Sequence, residues 1–175
     1  MDVVFADLDP RFAAVNVYLG ELKRGRRMAA LADLDPRGFG PWLPFLNLID
    51  VVLAGDAVRF RFRLVGAAQS AAAQLQYQGR FVDDAVAPAS RRRVIDDLTR
   101  VAATCRPQYG RYGMPFPGRG FVESERVFFP LSADDRMVDS ILALHRYPAL
   151  EEADAAGLAP QAWHLEAWRN ALAGG

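Results

Sequence analysis

Apolar positions recur along the chain in two rhythms, and each change of rhythm marks a new element. In residues 10–25, Phe12, Val15, Leu19 and Leu22 return every three or four places, the spacing of one helical face. Asp9 suits the N-cap, Pro10 the first turn and Gly25 the end. Arg24, Arg26 and Arg27 gather where cations suit the helix dipole. A short turn starts near Asp33-Leu34-Asp35-Pro36, and Pro41 and Pro44 are expected to stop any helix. From Phe45 to Leu53 the residues are β-prone, and Gly55-Asp56 is a turn. Val58 to Val65 then alternates between apolar residues and arginine. A period of two predicts Val58, Phe60, Phe62 and Leu64 on one strand face and Arg59, Arg61 and Arg63 on the other.

Residues 66–105 return to helical spacing in pieces. An Ala/Gln-rich helix over 67–78 ends at Gly79, and Arg80 to Asp84 is a brief turn. A longer helix over about 88–105 sets Val94, Leu98, Val101 and Ala102 opposite Arg91, Arg92, Arg93 and Asp96. Pro107 ends it. Three strands follow, at 108–114, 121–131 and 137–147, separated by the Pro/Gly loop 115–120 and the turn Ala133-Asp134-Asp135-Arg136. Residues 151–156 read as a linker or short helix. Pro160 opens a last helix, with Leu158, Leu165, Trp168 and Leu172 at roughly a 3.5 spacing. Trp163 and Trp168 are costly to leave in water and are expected to cap the domain or join an interface.

This order predicts an α+β domain: a five-stranded antiparallel sheet with helices on one face, plus N- and C-terminal flanking helices. The divisions are a helical flank over 1–40, the sheet domain over 41–148 and a helical extension over 149–175.

Composition narrows the classes. Of the 175 residues, 51% are apolar and 24% charged, which excludes a disordered tail or a fibre. Lys+Arg and Asp+Glu are 21 each, so the basic excess of a dedicated nucleic-acid binder is absent. No apolar run reaches the roughly 18 residues of a membrane span. No secretory signal is visible at the N-terminus, and Cys105 has no second cysteine to pair with, so the cytoplasm is the expected home.

The order of elements is that of a PAS domain, and several segments resemble a bacterial subfamily of small stand-alone PAS-like proteins of alphaproteobacterial type. The matching pieces are Asp33-Leu34-Asp35-Pro36, Leu43 to Val51, Arg59 to Gly66, Gly79-Arg80-Phe81, Thr104 to Pro107, Glu125 to Ser132 and Val138 to Leu142. Together they span about residues 9–148. The resemblance implies a PAS-like fold and a sensory or protein-interaction role, with no catalytic residues. The chain departs from the pattern at Ala67-Ala68-Gln69-Ser70, where a threonine commonly follows the glycine. The small side chains there reflect either a larger cavity or base composition.

Candidate chemistry is sparse. No Gly-x-Ser-x-Gly elbow or P-loop is present. His145 and His164 are the only histidines, and with Cys105 they match no zinc spacing. Glu123 and Glu125 share a strand face, where a cross-strand arginine pair is expected before a cation. The PAS resemblance brings two cofactor tests. Covalent flavin sensors resemble one another in an Asn-Cys-Arg motif on the helix after the second strand, which has no cysteine here. Haem sensors carry an axial ligand, usually a histidine on the long helix, and residues 88–105 have none. His145 is the residual haem candidate, with a surface or edge histidine as the ordinary reading. No cofactor is evident, haem and flavin are not expected, and an unidentified small ligand stays open.

Candidate surfaces are better defined. Arg59, Arg61 and Arg63 form either a solvated strand face or a docking surface for an acidic partner. Phe60, Phe62 and Leu64 form either ordinary core or a ligand cavity wall, with Gln69, Gln74, Tyr109 and Ser140 as polar residues that converge on it. Phe12, Val15, Leu19 and Leu22 either pack on the chain's own sheet or pair two subunits. Three functions follow: a stand-alone PAS-like sensory or interaction module signalling through a partner protein; a small-molecule enzyme on a cone-shaped α+β fold; or an arginine-mediated nucleic-acid adaptor.

Overall fold

The computed structural model describes residues 3–55, 57–73, 77–116, 120–148 and 162–173. The sheet has five antiparallel strands: β1 (Leu46–Ala54), β2 (Ala57–Leu64), β3 (Gln108–Phe116), β4 (Gly120–Leu131) and β5 (Ser140–Arg146). Their order is β2-β1-β5-β4-β3, so the last strand in sequence lies in the middle. The helices are α1 (Pro10–Lys23), α2 (Ala67–Ala73), α3 (Val82–Ala85), α4 (Pro88–Thr104) and α5 (Ala162–Ala173). The crossover from β2 to β3 carries α2, α3 and α4. This strand order and helical crossover make the five-stranded antiparallel α+β architecture that the sequence predicts.

Both faces of the sheet are buried. On one face, α4 presents Val94, Leu98 and Val101 to Ile49, Phe60, Phe62, Phe128, Ile141 and Ala143. On the other, α1 presents Phe12, Val15 and Leu19, and α5 presents Trp168, to Leu48, Val127, Phe129, Leu142 and Leu144. The crossover covers the inner face and the flanking helices cover the outer one. Where the sheet is buried on both sides, as in β5, the first half of β1 and residues 127–131 of β4, the sequence reads as mostly apolar runs.

Local chemistry explains the ends of α1. The Asp9 carboxylate accepts from the Arg11 backbone N–H at 3.0 Å, and Arg24 adopts a left-handed cap with φ 48°. Three expectations need correction. Helical structure does not stop at Pro41 and Pro44: 3-10 turns run over Pro36–Phe45, interrupted where Gly40 takes φ 53°. These are short turns broken at Gly40 rather than one continuous helix, so neither proline interrupts a long i→i−4 ladder. Leu64 does not share a face with Phe60 and Phe62. The β1–β2 register shifts between Leu48 and Ile49, pairing Leu48 with Leu64 but Ile49 with Phe62. That bulge turns Leu64 into the outer core while Phe60 and Phe62 stay in the inner one. His145 is neither at an edge nor at the surface: it lies on central strand β5, 2% exposed.

The outer edge of β2 is covered from within the chain. Gly79 donates to Phe62 O at 2.7 Å, and Phe62 donates to Arg80 O at 3.0 Å. These bonds occupy the outward backbone groups of β2 at Phe62. The expected linker 151–156 lies outside the described residues.

Candidate functional site

A polar row crosses the otherwise apolar inner face. Gly110 of β3 is the register partner of Arg126 of β4, and Arg126 is the register partner of His145 of β5. Asn47 of β1 extends the row, its Nδ2 lying 2.8 Å from His145 Nε2. Asn47 also donates to Gln69 Oε1 of α2 and accepts from the Gly66 backbone N–H at 2.8 Å. Asn47 thereby ties strand β1 to the start of the crossover. Gly66 is tight for the same reason: a Cβ there would fall on the carbonyl oxygens of Pro44 and Leu46.

His145 is held between Asn47 and Tyr147, whose hydroxyl is 3.4 Å from His145 Nδ1. Burial pushes the His145 pKa well below its ordinary value, and the Arg126 charge pushes it the same way. The ring is therefore neutral at physiological pH. Burial also raises the Tyr147 hydroxyl to about 12, against a smaller opposing pull from Arg126.

Arg126 itself is 7% exposed. Its Nε donates to Ser124 Oγ at 3.1 Å, and its guanidinium carbon lies 4.7 Å from the centre of the Tyr112 ring. Tyr112 folds back over Gly110, where a Cβ would meet the tyrosine ring. The Tyr112 hydroxyl donates to Asp97 of α4. Burial and that carboxylate both raise the hydroxyl's pKa. Phe128 stands edge-on to Tyr112, and Tyr77 leans on Phe62 at 5.6 Å between ring centres. The inner layer thus sets a cation, a hydroxyl, a neutral imidazole and aromatic rings side by side.

The sequence-derived candidates divide between the two faces. Phe60, Phe62 and Gln69 belong to the inner layer. Leu64 and Tyr109 belong to the outer one, and Ser140 lies on the same β5 face as Leu142 and Leu144 of the outer core. Tyr109 packs edge-on to Phe12 at 6.2 Å and donates to Glu125 Oε1 at 2.9 Å. Gln74 lies outside the described residues, as does the side chain of Trp163. Phe12, Val15 and Leu19 are buried against the sheet, and Leu22 packs partly against the same cluster.

The arginine stripe is engaged by carboxylates of the same chain. Arg59 Nε meets Asp83 at 2.8 Å, with its guanidinium 3.8 Å from the Phe81 ring centre. Arg61 and Arg63 share buried Asp50, at 2.9 and 2.5 Å. Arg63 also donates to Ala171 O, fastening α5 to β2. Glu125 has the expected cross-strand arginines: Arg111 at 2.9 Å and Arg146 at 2.7 Å. Glu123, its neighbour two places on, is exposed.

The sequence does not single out Asn47, Tyr112 or Arg126, and it offers His145 only as a zinc or haem candidate, not as part of a buried polar row. The usable signal was a polar residue inside a run apolar at both parities, as in Phe45-Leu46-Asn47-Leu48-Ile49; Arg126, which follows Glu123-Ser124-Glu125, carries no such signal. In a strand buried on both faces, such a residue must face a core.

Among the described residues, no three or more His, Cys, Asp or Glu come together as a metal-holding group. No helix among them is long and apolar enough to cross a membrane. No family model matches the sequence, and no curated protein matches it. Fourteen chains of solved structures are similar, among them the following two. One is the N-terminal domain of a diguanylate cyclase with PAS/PAC sensor from Marinobacter aquaeolei, 14% identical over 61% of this chain and 98% of that one, with a TM-score of 0.45. The other is a variant of RsLOV, 10% identical over 94% of this chain and 93% of that one, with a TM-score of 0.46.

Proposed function

We propose that this chain is a PAS-like sensory or protein-interaction module of the cytoplasm. A small ligand seated between the sheet and the crossover helices alters the packing of the flanking helices, and a partner protein or a second copy reads that change. The supporting observation is the buried polar row Asn47, His145 and Arg126 on the inner face, with Gln69 and Ser124 beside it. Burying that much polarity costs stability that an apolar layer would not, and a ligand that uses it supplies a reason to keep it. Arg59, Arg61 and Arg63 already face carboxylates, so they offer less free positive charge than a nucleic-acid adaptor needs.

Native mass spectrometry of the purified full chain tests the reading. A small molecule retained one-to-one, whose removal changes amide exchange in α1 and α5, is the expected result. A chain that is always empty, and whose melting temperature ignores a low-molecular-weight cell extract, would overturn it.

A further inference from the structure

The two faces of the sheet treat buried charge differently. On the outer face, among the described residues, each buried carboxylate has two arginines: Asp50 has Arg61 and Arg63, and Glu125 has Arg111 and Arg146. On the inner face Arg126, 7% exposed, has no carboxylate partner among the described residues. Among the described residues its one hydrogen bond goes from Nε to Ser124 Oγ, and its other contact is the Tyr112 ring. Asp97, the carboxylate of that neighbourhood, is taken by the Tyr112 hydroxyl. A buried cation without a counter-charge is costly, because the interior stabilises it far less than water does. Arginine also presents a planar fork that matches a carboxylate with two parallel hydrogen bonds.

We propose that Arg126 is the anchor for a small organic monocarboxylate with an apolar body, bound in the inner layer. This rests on the ligand-binding reading above and names its ligand class. One charge is the right number. His145, the cross-strand neighbour of Arg126, is neutral and adds no second cation. The Arg93 guanidinium lies 5.3 Å from the Tyr112 ring but belongs to an exposed residue. A doubly charged phosphate would therefore keep an uncompensated charge in the core. The apolar body follows from the neighbours: Asn47 already serves Gln69, His145 and Gly66, while Tyr112, Phe128, Phe62 and Tyr77 offer ring faces and edges.

The test uses the full chain with benzoate, neutral benzamide and inorganic phosphate as probes, read by the Arg126 Nε–H resonance and by melting temperature. Benzoate is expected to move that resonance and raise the melting temperature, and to bind better than benzamide or phosphate. Arg126→Gln is expected to weaken benzoate by about 10- to 100-fold, the worth of a charge-assisted bond pair, and Arg126→Lys by less. Circular dichroism confirms that each variant folds; if Arg126→Gln does not, Arg126→Lys and the benzoate–benzamide difference carry the test. Equal benzoate affinity in wild type and Arg126→Gln, or no benzoate binding, would overturn the assignment. Benzamide binding as tightly as benzoate would overturn it too, yet leave the sensory reading standing. Phosphate binding better than benzoate would refute the carboxylate assignment alone.

Discussion

Replacing Arg146 with methionine should loosen α1 from the sheet without unfolding the domain. Arg146 ends β5 and faces outward. Its Nη1 reaches Glu125 on β4 at 2.7 Å, and its Nε reaches Asp9, the N-cap of α1, at 3.0 Å. The substitution keeps most of the aliphatic stem but removes both contacts. Neither carboxylate is stranded, since Glu125 keeps Arg111 and Tyr109, and Asp9 keeps Arg11. The full penalty of an orphaned buried charge, roughly 3–5 kcal/mol, therefore does not apply. The arginine side chain is 29% exposed and the Glu125 side chain 7%, so the pair is worth more than the roughly 0–1 kcal/mol of a surface bridge. The expected loss is about 2 kcal/mol, or about 4–8 °C in melting temperature for a chain of this length. Urea unfolding should show a lower midpoint with an unchanged slope, and hydrogen exchange should rise in α1 more than in α4. A loss under about 0.5 kcal/mol, or equal exchange gains in both helices, would refute the argument that Arg146 docks α1.

Three more outcomes follow from the same geometry. Burial pushes the Glu125 carboxyl up, but hydrogen bonds from Arg146, Tyr109 and Arg111 outweigh it and hold it below the ordinary 4.5. A carboxylate depressed by folding stabilises above its unfolded pKa and loses that contribution as pH falls through the folded one. Wild-type stability should therefore drop below about pH 4.5, and Glu125→Gln should flatten that drop in acid-unfolding curves. His145 is a base depressed by burial, so the unfolded chain binds the extra proton first. Stability should fall as pH drops below about 6.5, and the difference between wild type and His145→Gln isolates that slope from the similarly depressed His164. Leu98→Ala, which empties a fully buried α4 position against the inner face, should cost about 3 kcal/mol in urea melts.

The elements were legible where one periodicity ruled. The alternation from Val58 to Phe62 and the stripe of α1 appear where the spacing puts them. Leu64 was not legible, because a bulge is one extra residue and leaves no mark in an alternating pattern. The flanking helices hid the outer core: nothing in the local pattern marks Asp50 as the carboxylate that Arg61 and Arg63 share beside α5. The candidate cavity split for a related reason. Tyr109 and Ser140 were chosen for polarity, but which face a strand residue takes depends on register, which sequence spacing within one strand does not supply.

Register is also what links the two faces. Glu125 pairs with Arg146 across β4 and β5, and the next register pair is Arg126 with His145. The side chains of one pair point outward to Asp9 and α1, and those of the other point inward to Tyr112, Ser124 and Asn47. Successive residues of a strand share one peptide unit and face opposite ways. A tilt or shift of β4 at Arg126 therefore moves Glu125 and its grip on Arg146 with it, without a chain of side-chain contacts through the sheet. Under the proposed reading, a carboxylate drawn against Arg126 acts on backbone that already holds the N-cap of α1. The state it favours is the one in which both pairs fit, and the flank responds only by the difference in ligand affinity between the two packings.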